Sequence, residues 1–378
     1  MKPRVSRDVL RWVLVAAALV SAAPALRSAV QGVGGQTGGQ SVGMPAQDSL
    51  LGQLNKQLNE LYGSGRYAEG IPVASEALRV AETTFGAQHP IVAESLNNLA
   101  EMYRLLGRFA EAKPLFERAL RIAETASGPE SIFVAATLNN LAEMYRLQGT
   151  YAQADPLYRR AIAIREKSLG PEHADLAQSL NNLALLKAAE DKPQEAEPLY
   201  QRAMAIYRKA LGDEDLLVAA TMGNLAELYR SQQEFVLAEP LYARALAIAE
   251  KKLGPESPTV AMNLNNQALL YLAQKKPRDA ERLLQRALAI QEKVYGRDPT
   301  ASYTTLENLA TLYQDQGRYR DAEPLWQRVL AIGEKAYGPD NPALAAPLES
   351  LAEVSKKLGR ADEAARLQER ARQLTRRR

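Results

Sequence analysis

The chain contains no cysteine among its 378 residues. Disulfides, thiolate metal sites and a cysteine nucleophile are therefore excluded, although such a chain suits a reducing or an oxidising compartment equally. Histidine is nearly as scarce, with two copies, and aromatic residues make up only 6%. Few aromatics beside abundant Ala and Leu favour helix over strand. A charge excess is also lacking. The formal charge is +3, but the first 25 residues hold four of the 47 Lys and Arg and one of the 44 Asp and Glu, so the rest of the chain is balanced. A balanced chain offers no electrostatic ground for nucleic-acid binding. No Gly-rich phosphate loop, no His-Glu metal spacing and no nucleophile elbow occur in the sequence, which leaves no constellation for catalysis, a metal or a cofactor.

Only one long apolar run exists. Lys2, Arg4, Arg7 and Arg11 form a basic start, and residues 12–25 are then apolar except for Ser21. Fourteen helical residues reach about 21 Å, short of the roughly 30 Å hydrocarbon layer. Small residues close the run at Ser21-Ala22-Ala23-Pro24-Ala25. This is the order of a secretory signal peptide over residues 1–25, cut after Ala25 or Ala22. It predicts an exported protein, periplasmic or secreted. The rival reading is an uncleaved anchor through residues 9–26, the one case in which the chain touches a membrane; a cytosolic protein with a misleading start comes third. Residues 26–48, with Gly34-Gly35-Gln36-Thr37-Gly38-Gly39-Gln40, read as a flexible linker.

What the chain does have is a repeat. Leu96-Asn97-Asn98-Leu99-Ala100-Glu101-Met102-Tyr103 returns at Leu138, Leu180, Met222, Leu264, Leu306 and Leu348, every step being 42 residues. A strict period of this size marks an array in which each unit packs on its neighbours. Within a unit, Leu96, Leu99, Ala100 and Tyr103 form one helical stripe, and Ala112, Leu115, Phe116, Ala119 and Leu120 form a second. Gly107 breaks the chain between them. Each unit is thus a helical hairpin. Columns of small residues led by Ala100 and Ala112 permit close backbones, while Tyr103 and Phe116 head columns of large residues. The repeats span 49–378, about eight in all, and the last is partial, with a polar capping character at Ser355, Ala361 and Arg372.

A second glycine column, Gly86, Gly128, Gly170, Gly212, Gly254, Gly296 and Gly338, fits a left-handed residue just past each second helix. Three residues later stand His89, Ser131, His173, Asp215, Ser257 or Asn341, which reads as a column of N-caps. At Asp298-Pro299 the cap and its proline come one residue early. The two histidines belong to this column and read as caps rather than metal ligands or bases. One column opposes the helical pattern: Pro72, Pro114, Pro156, Pro198, Pro240 and Pro324 fall about five residues into the second helix. Either that helix starts later or its first turn is distorted.

Leu99-Ala100, Tyr103, Gly107, Phe109, Ala112, Phe116 and Ala119 fall at the spacings of the tetratricopeptide repeat signature. The 42-residue period and Leu169-Gly170-Pro171-Glu172-His173 resemble the kinesin light chain variety. The resemblance covers about residues 50–378. It implies an all-α, right-handed superhelical solenoid whose concave face is lined by the first helix of each pair and takes short extended peptides. Unlike kinesin light chains, this chain has an export-type start and no long coiled-coil segment before the repeats.

Candidate binding residues follow from that face. Asn98, Asn140, Asn182, Asn224, Asn266 and Asn308 occupy one mid-helix column. Asparagine is a middling helix former, so six copies need a reason. A carboxamide can hold an extended peptide backbone, or it can link adjacent repeats. Arg104, Arg146 and Arg230 should edge the groove and could meet a ligand carboxylate. Glu101, Glu143 and Glu227, three residues earlier, offer a surface ion pair instead. Arg118, Arg160, Arg202, Arg244, Arg286, Arg328 and Arg370 line the second helix as a solvated, packing-supporting face. The expected function is a non-enzymatic scaffold for a peptide or protein partner, with no nucleic acid, metal or cofactor. The alternative is a self-associating assembly protein of the cell envelope.

Overall fold

The computed structural model describes residues 45–297 and 300–376. The stretch read as an export signal, the stretch read as a linker up to residue 44, Asp298-Pro299 and the last two arginines lie outside the described residues. The described residues are all-α, with no strand. The first helices of the pairs are α1 (Pro45–Gly63), α3 (Pro90–Leu105), α5 (Ile132–Leu147), α7 (Ala174–Ala189), α9 (Leu216–Ser231), α11 (Pro258–Ala273), α13 (Tyr303–Asp315) and α15 (Ala345–Lys357). The second helices are α2 (Tyr67–Phe85), α4 (Phe109–Ser127), α6 (Tyr151–Leu169), α8 (Pro193–Leu211), α10 (Phe235–Leu253), α12 (Pro277–Tyr295), α14 (Tyr319–Tyr337) and α16 (Ala361–Arg376). Helix α1 starts at Pro45, inside the stretch read as linker; proline suits a first helical turn, where no N–H is needed.

The chain divides into two compact units, Met1–Asn224 and Leu225–Arg378, and the division falls within α9. In the first unit α1/α2, α3/α4, α5/α6 and α7/α8 pack as hairpins, and α2, α4 and α6 also pack on the next first helix. The second unit repeats this with α11/α12, α13/α14 and α15/α16.

Stacking supplies the core. Ala100, Phe116, Ala142, Tyr145, Tyr158, Leu183 and Leu186 share one buried cluster drawn from three successive repeats. In the second unit Ala268, Leu284, Ala310, Trp326 and Leu351 do the same. Phe116 and Tyr158 are fully enclosed, and each buried ring contributes about 1.5–3 kcal/mol. The alanine columns sit where backbones meet. In the first repeat Gly70 stands at the position of Ala112, and a Cβ there would lie 2.7 Å from the Met102 sulfur.

The cap column behaves as read. His89 Nδ1 accepts from the Ile91 N–H at 3.3 Å and His173 Nδ1 from Asp175 at 3.1 Å, as the Asp215 carboxylate does from Leu217 at 2.8 Å. The preceding glycine column has the expected positive φ, between 84° and 91°, but not the left-handed helical ψ. Gly86 has ψ 152° and Gly170 has ψ 167°, a region open essentially to glycine alone. The chain must leave the helix toward an extended cap residue, as at His89 with ψ 145°, and does not curl back.

The proline column does not break the second helices. Helix α4 begins at Phe109, five residues before Pro114, and continues through it. Neither a later start nor a broken first turn is needed. All six prolines are exposed, and so are the residues four positions earlier, such as Ala110 and Ala152. The carbonyl that loses its N–H partner is therefore open to water.

Candidate functional site

The asparagines lie on the first helices, on the side opposite the Leu96–Leu99–Tyr103 stripe. They join successive repeats. Asn140 Nδ2 donates to Asn97 Oδ1 at 3.2 Å, Asn182 to Asn139 at 3.3 Å, Asn224 to Asn181 at 3.1 Å, and in the second unit Asn308 to Asn265 at 2.9 Å. The spacing is 43 residues, one more than the repeat, so the bond runs between two neighbouring asparagine columns. Asn98, Asn140, Asn182 and Asn308 are buried, whereas Asn224 and Asn266 are half-buried. Asn98 and Asn266 make no such bond among the described residues. The residue 43 positions before Asn266 is Gly223, which has no side chain to accept one.

The arginines pair as the spacing suggests, but not at the surface. Arg104 Nε meets Glu101 at 2.7 Å and Arg146 Nε meets Glu143 at 2.8 Å, each as a two-pronged contact. The Arg104 and Glu101 side chains are only 4% and 6% exposed. The expected surface ion pair is thus a buried one, because adjacent first helices α3, α5 and α7 touch and close over it. Tyr158 donates its hydroxyl to Glu143 at 2.6 Å. Burial opposes ionisation of Glu143, but Arg146, Arg104 and the Tyr158 hydroxyl together hold its carboxyl below the ordinary value. Arg230 forms the same pair with Glu227, at about one-fifth exposure on each side chain.

The arginine column of the second helices clasps the preceding repeat. Arg118 pairs with Glu82 at 2.7 Å, Arg160 with Glu124 at 2.7 Å, Arg286 with Glu250 at 2.7 Å and Arg370 with Glu334 at 2.6 Å. Arg160 and Arg370 also donate to the carbonyls of Pro129 and Pro339 in the loop behind. These side chains tie helix to helix, in keeping with the packing role read for them.

Two buried cations were not singled out from the sequence. Arg165 is fully enclosed and donates to the Asp175 carbonyl at 2.7 Å and the Ser179 hydroxyl at 2.8 Å. Burial pushes its guanidinium below the usual arginine value. Lys187 is held among Asp155, Glu190 and Glu195. Both break their columns: Arg165 stands where Ala123 does and Lys187 where Tyr145 does, and that departure is the only sequence signal for them. Half-buried Glu94 and Glu307 have no cation partner among the described residues, and burial pushes each carboxyl up to about 7. Among the described residues no group of His, Asp and Glu could hold a metal ion, and no helix is long and apolar enough to cross a membrane.

Stacked helical hairpins whose first helices share a polar face define a repeat scaffold. The tetratricopeptide repeat profile matches residues 61–125, 133–209, 217–293 and 302–377, well over half the chain. The chain belongs to the tetratricopeptide repeat family, whose fold is that of a protein–protein interaction scaffold and whose members are generally non-catalytic. Among solved structures, the apo form of the quorum sensor NprR from B. thuringiensis is similar with a TM-score of 0.65 and 14% identity, over 87% of each chain. BtubC (BKLC) from P. vanneervenii is 23% identical over 68% of this chain and 95% of its own, with a TM-score of 0.49. A Podosopora anserina kinesin light chain candidate with nearly identical TPR-like repeats is 29% identical over 55% of this chain and 98% of its own, with a TM-score of 0.47. Comparison with curated proteins gives no match.

Proposed function

We propose that this chain is an exported, non-enzymatic scaffold that binds peptide segments of partner proteins in a groove lined by the first helices of its repeats. The observation that carries the reading is the line of carboxamides at one position of successive first helices. Their mutual bonds use one amide hydrogen of each donor and leave further donor and acceptor capacity, which solvent already reaches at half-buried Asn224 and Asn266. An extended backbone presents the matching groups at regular spacing, so a carboxamide row suits a peptide independently of much of its sequence. The basic, then apolar, then small-residue start supports export.

The test is display of random dodecapeptides against the purified chain. Enriched peptides that lose about tenfold in affinity when Asn140, Asn182 and Asn224 are changed to Ala, or when the corresponding α11 residues are changed, support the groove. Enrichment of no peptide, or binding untouched by substitutions on every first helix, refutes it. N-terminal sequencing of the mature protein tests export: a start after Ala22 or Ala25 is expected, and an intact Met1 or Lys2 refutes cleavage.

A further inference from the structure

We infer that the partner is read mainly by the α11 face formed by Met262, Asn266 and Leu269, and that this face takes an extended segment bearing an uncharged, apolar side chain. The inference rests on the groove reading above and concerns the second unit alone.

Three observations converge on it. The first is access. Met262, Asn266 and Leu269 are spaced four and three residues apart, on one helical face, and all three are half-buried. Their counterparts on α7, Gln178, Asn182 and Leu185, are 3%, 5% and 2% exposed. A side chain closed to that degree cannot touch a ligand without movement, whereas the α11 trio can.

The second is an unused carboxamide. Asn266 makes no side-chain hydrogen bond among the described residues, and it is half-open where the similarly unbonded Asn98 is buried. It offers two donors and an acceptor to a peptide backbone.

The third is charge. Helix α11 contains no Asp, Glu, Lys or Arg, and α13 contains no Lys or Arg. In the second unit's part of α9, Arg230 is already held by Glu227. An acidic ligand side chain would lose hydration here without meeting a free cation. An apolar one gains from contact with Met262 and Leu269, and methionine adapts to several shapes of apolar partner. Glu307 on α13 makes the setting still less favourable for a carboxylate.

The experiment uses the peptides recovered by display on the intact chain. Their shared core should contain Leu, Ile, Val, Met or Phe and be depleted in Asp and Glu. Replacing the core apolar residue of the best peptide by Glu should weaken binding at least tenfold. Asn266→Ala and Leu269→Ser should each cost about tenfold, several times more than Asn140→Ala does. Circular dichroism melting of both α11 variants reports whether they fold, and Met262→Ser provides a second probe of the same face. An acidic consensus overturns the inference. Binding lost in Asn140→Ala or Asn182→Ala but kept in Asn266→Ala and Leu269→Ser also overturns it and leaves the groove reading standing. Absence of any enriched peptide overturns both.

Discussion

The first helices of the two units carry the same motif and put it to different use. In α3, α5 and α7 the polar face is turned inward on itself: asparagine bonds asparagine, arginine grips glutamate, and almost nothing on that face reaches solvent. In the second unit the Glu227–Arg230 pair is part-exposed, Met262, Asn266 and Leu269 are half-open, and Thr311 is exposed. Departures from the repeat accompany the difference: Gly223, just before the division, for an asparagine, and Thr311 for a glutamate, whereas the same leucine stands buried at Leu185 and half-open at Leu269. A repeat can thus be structural or available for binding without any change of fold. What decides is whether each polar group finds its partner within the array.

That contrast can be broken most forcefully at the ion pairs. Arg146→Ala strands Glu143 in a buried site and should cost about 3–5 kcal/mol in urea unfolding followed by far-UV circular dichroism. Arg230→Ala leaves Glu227 within reach of water and should cost only about 1–2 kcal/mol. Equal losses would mean that the two faces do not differ in solvation.

A middle-sized effect is expected from the unpaired carboxyl of Glu307. Its folded pKa of about 7 lies above the unfolded value of 4.5. The native state therefore holds the proton more tightly than the unfolded state. Stability falls as pH rises from about 4.5 to about 7, and the penalty is complete above that. Glu307→Gln should raise the free energy of unfolding at pH 8 by about 1–2 kcal/mol and leave it unchanged at pH 4. Glu94→Gln in the first unit should show the same sign. A gain that does not depend on pH would rule out a titrating carboxylate as its source.

The smallest effect sharpens the comparison at the turns between paired helices. Gly65, Gly107, Gly149, Gly317 and Gly359 have positive φ there, but Asp191, Gln233 and Lys275 hold the same place at φ 59°, 64° and 60°. Lys275→Gly in the second unit should stabilise by about 1 kcal/mol, since a side chain is strained in that region. Asp191→Gly in the first unit should gain less, because aspartate tolerates the conformation better. Thermal unfolding of the two variants side by side distinguishes them.

The hairpins, the alanine contacts and the caps were all legible in the columns. Each depends on local spacing or on a residue type with one strong local preference, as with His173 and Ser257 before their helices. The proline column misled, since Pro114 looks like a helix breaker until its exposed setting shows where the freed carbonyl goes. The asparagine column could be read two ways, and its 43-residue cross-link could not be chosen from a 42-residue period. Arg104 was placed in an ion pair correctly, but at the wrong depth, because depth depends on how near the next first helix comes.

By itself the sequence determined an all-α array of helical hairpins, with its period, its buried alanines and aromatics, and its family. These follow from patterns that repeat along one dimension, where each unit meets only copies of itself. Tertiary structure alone decided which polar side chains are consumed within the array and which remain half-open. That outcome depends on distances between side chains a full repeat apart, and on what water can reach between them.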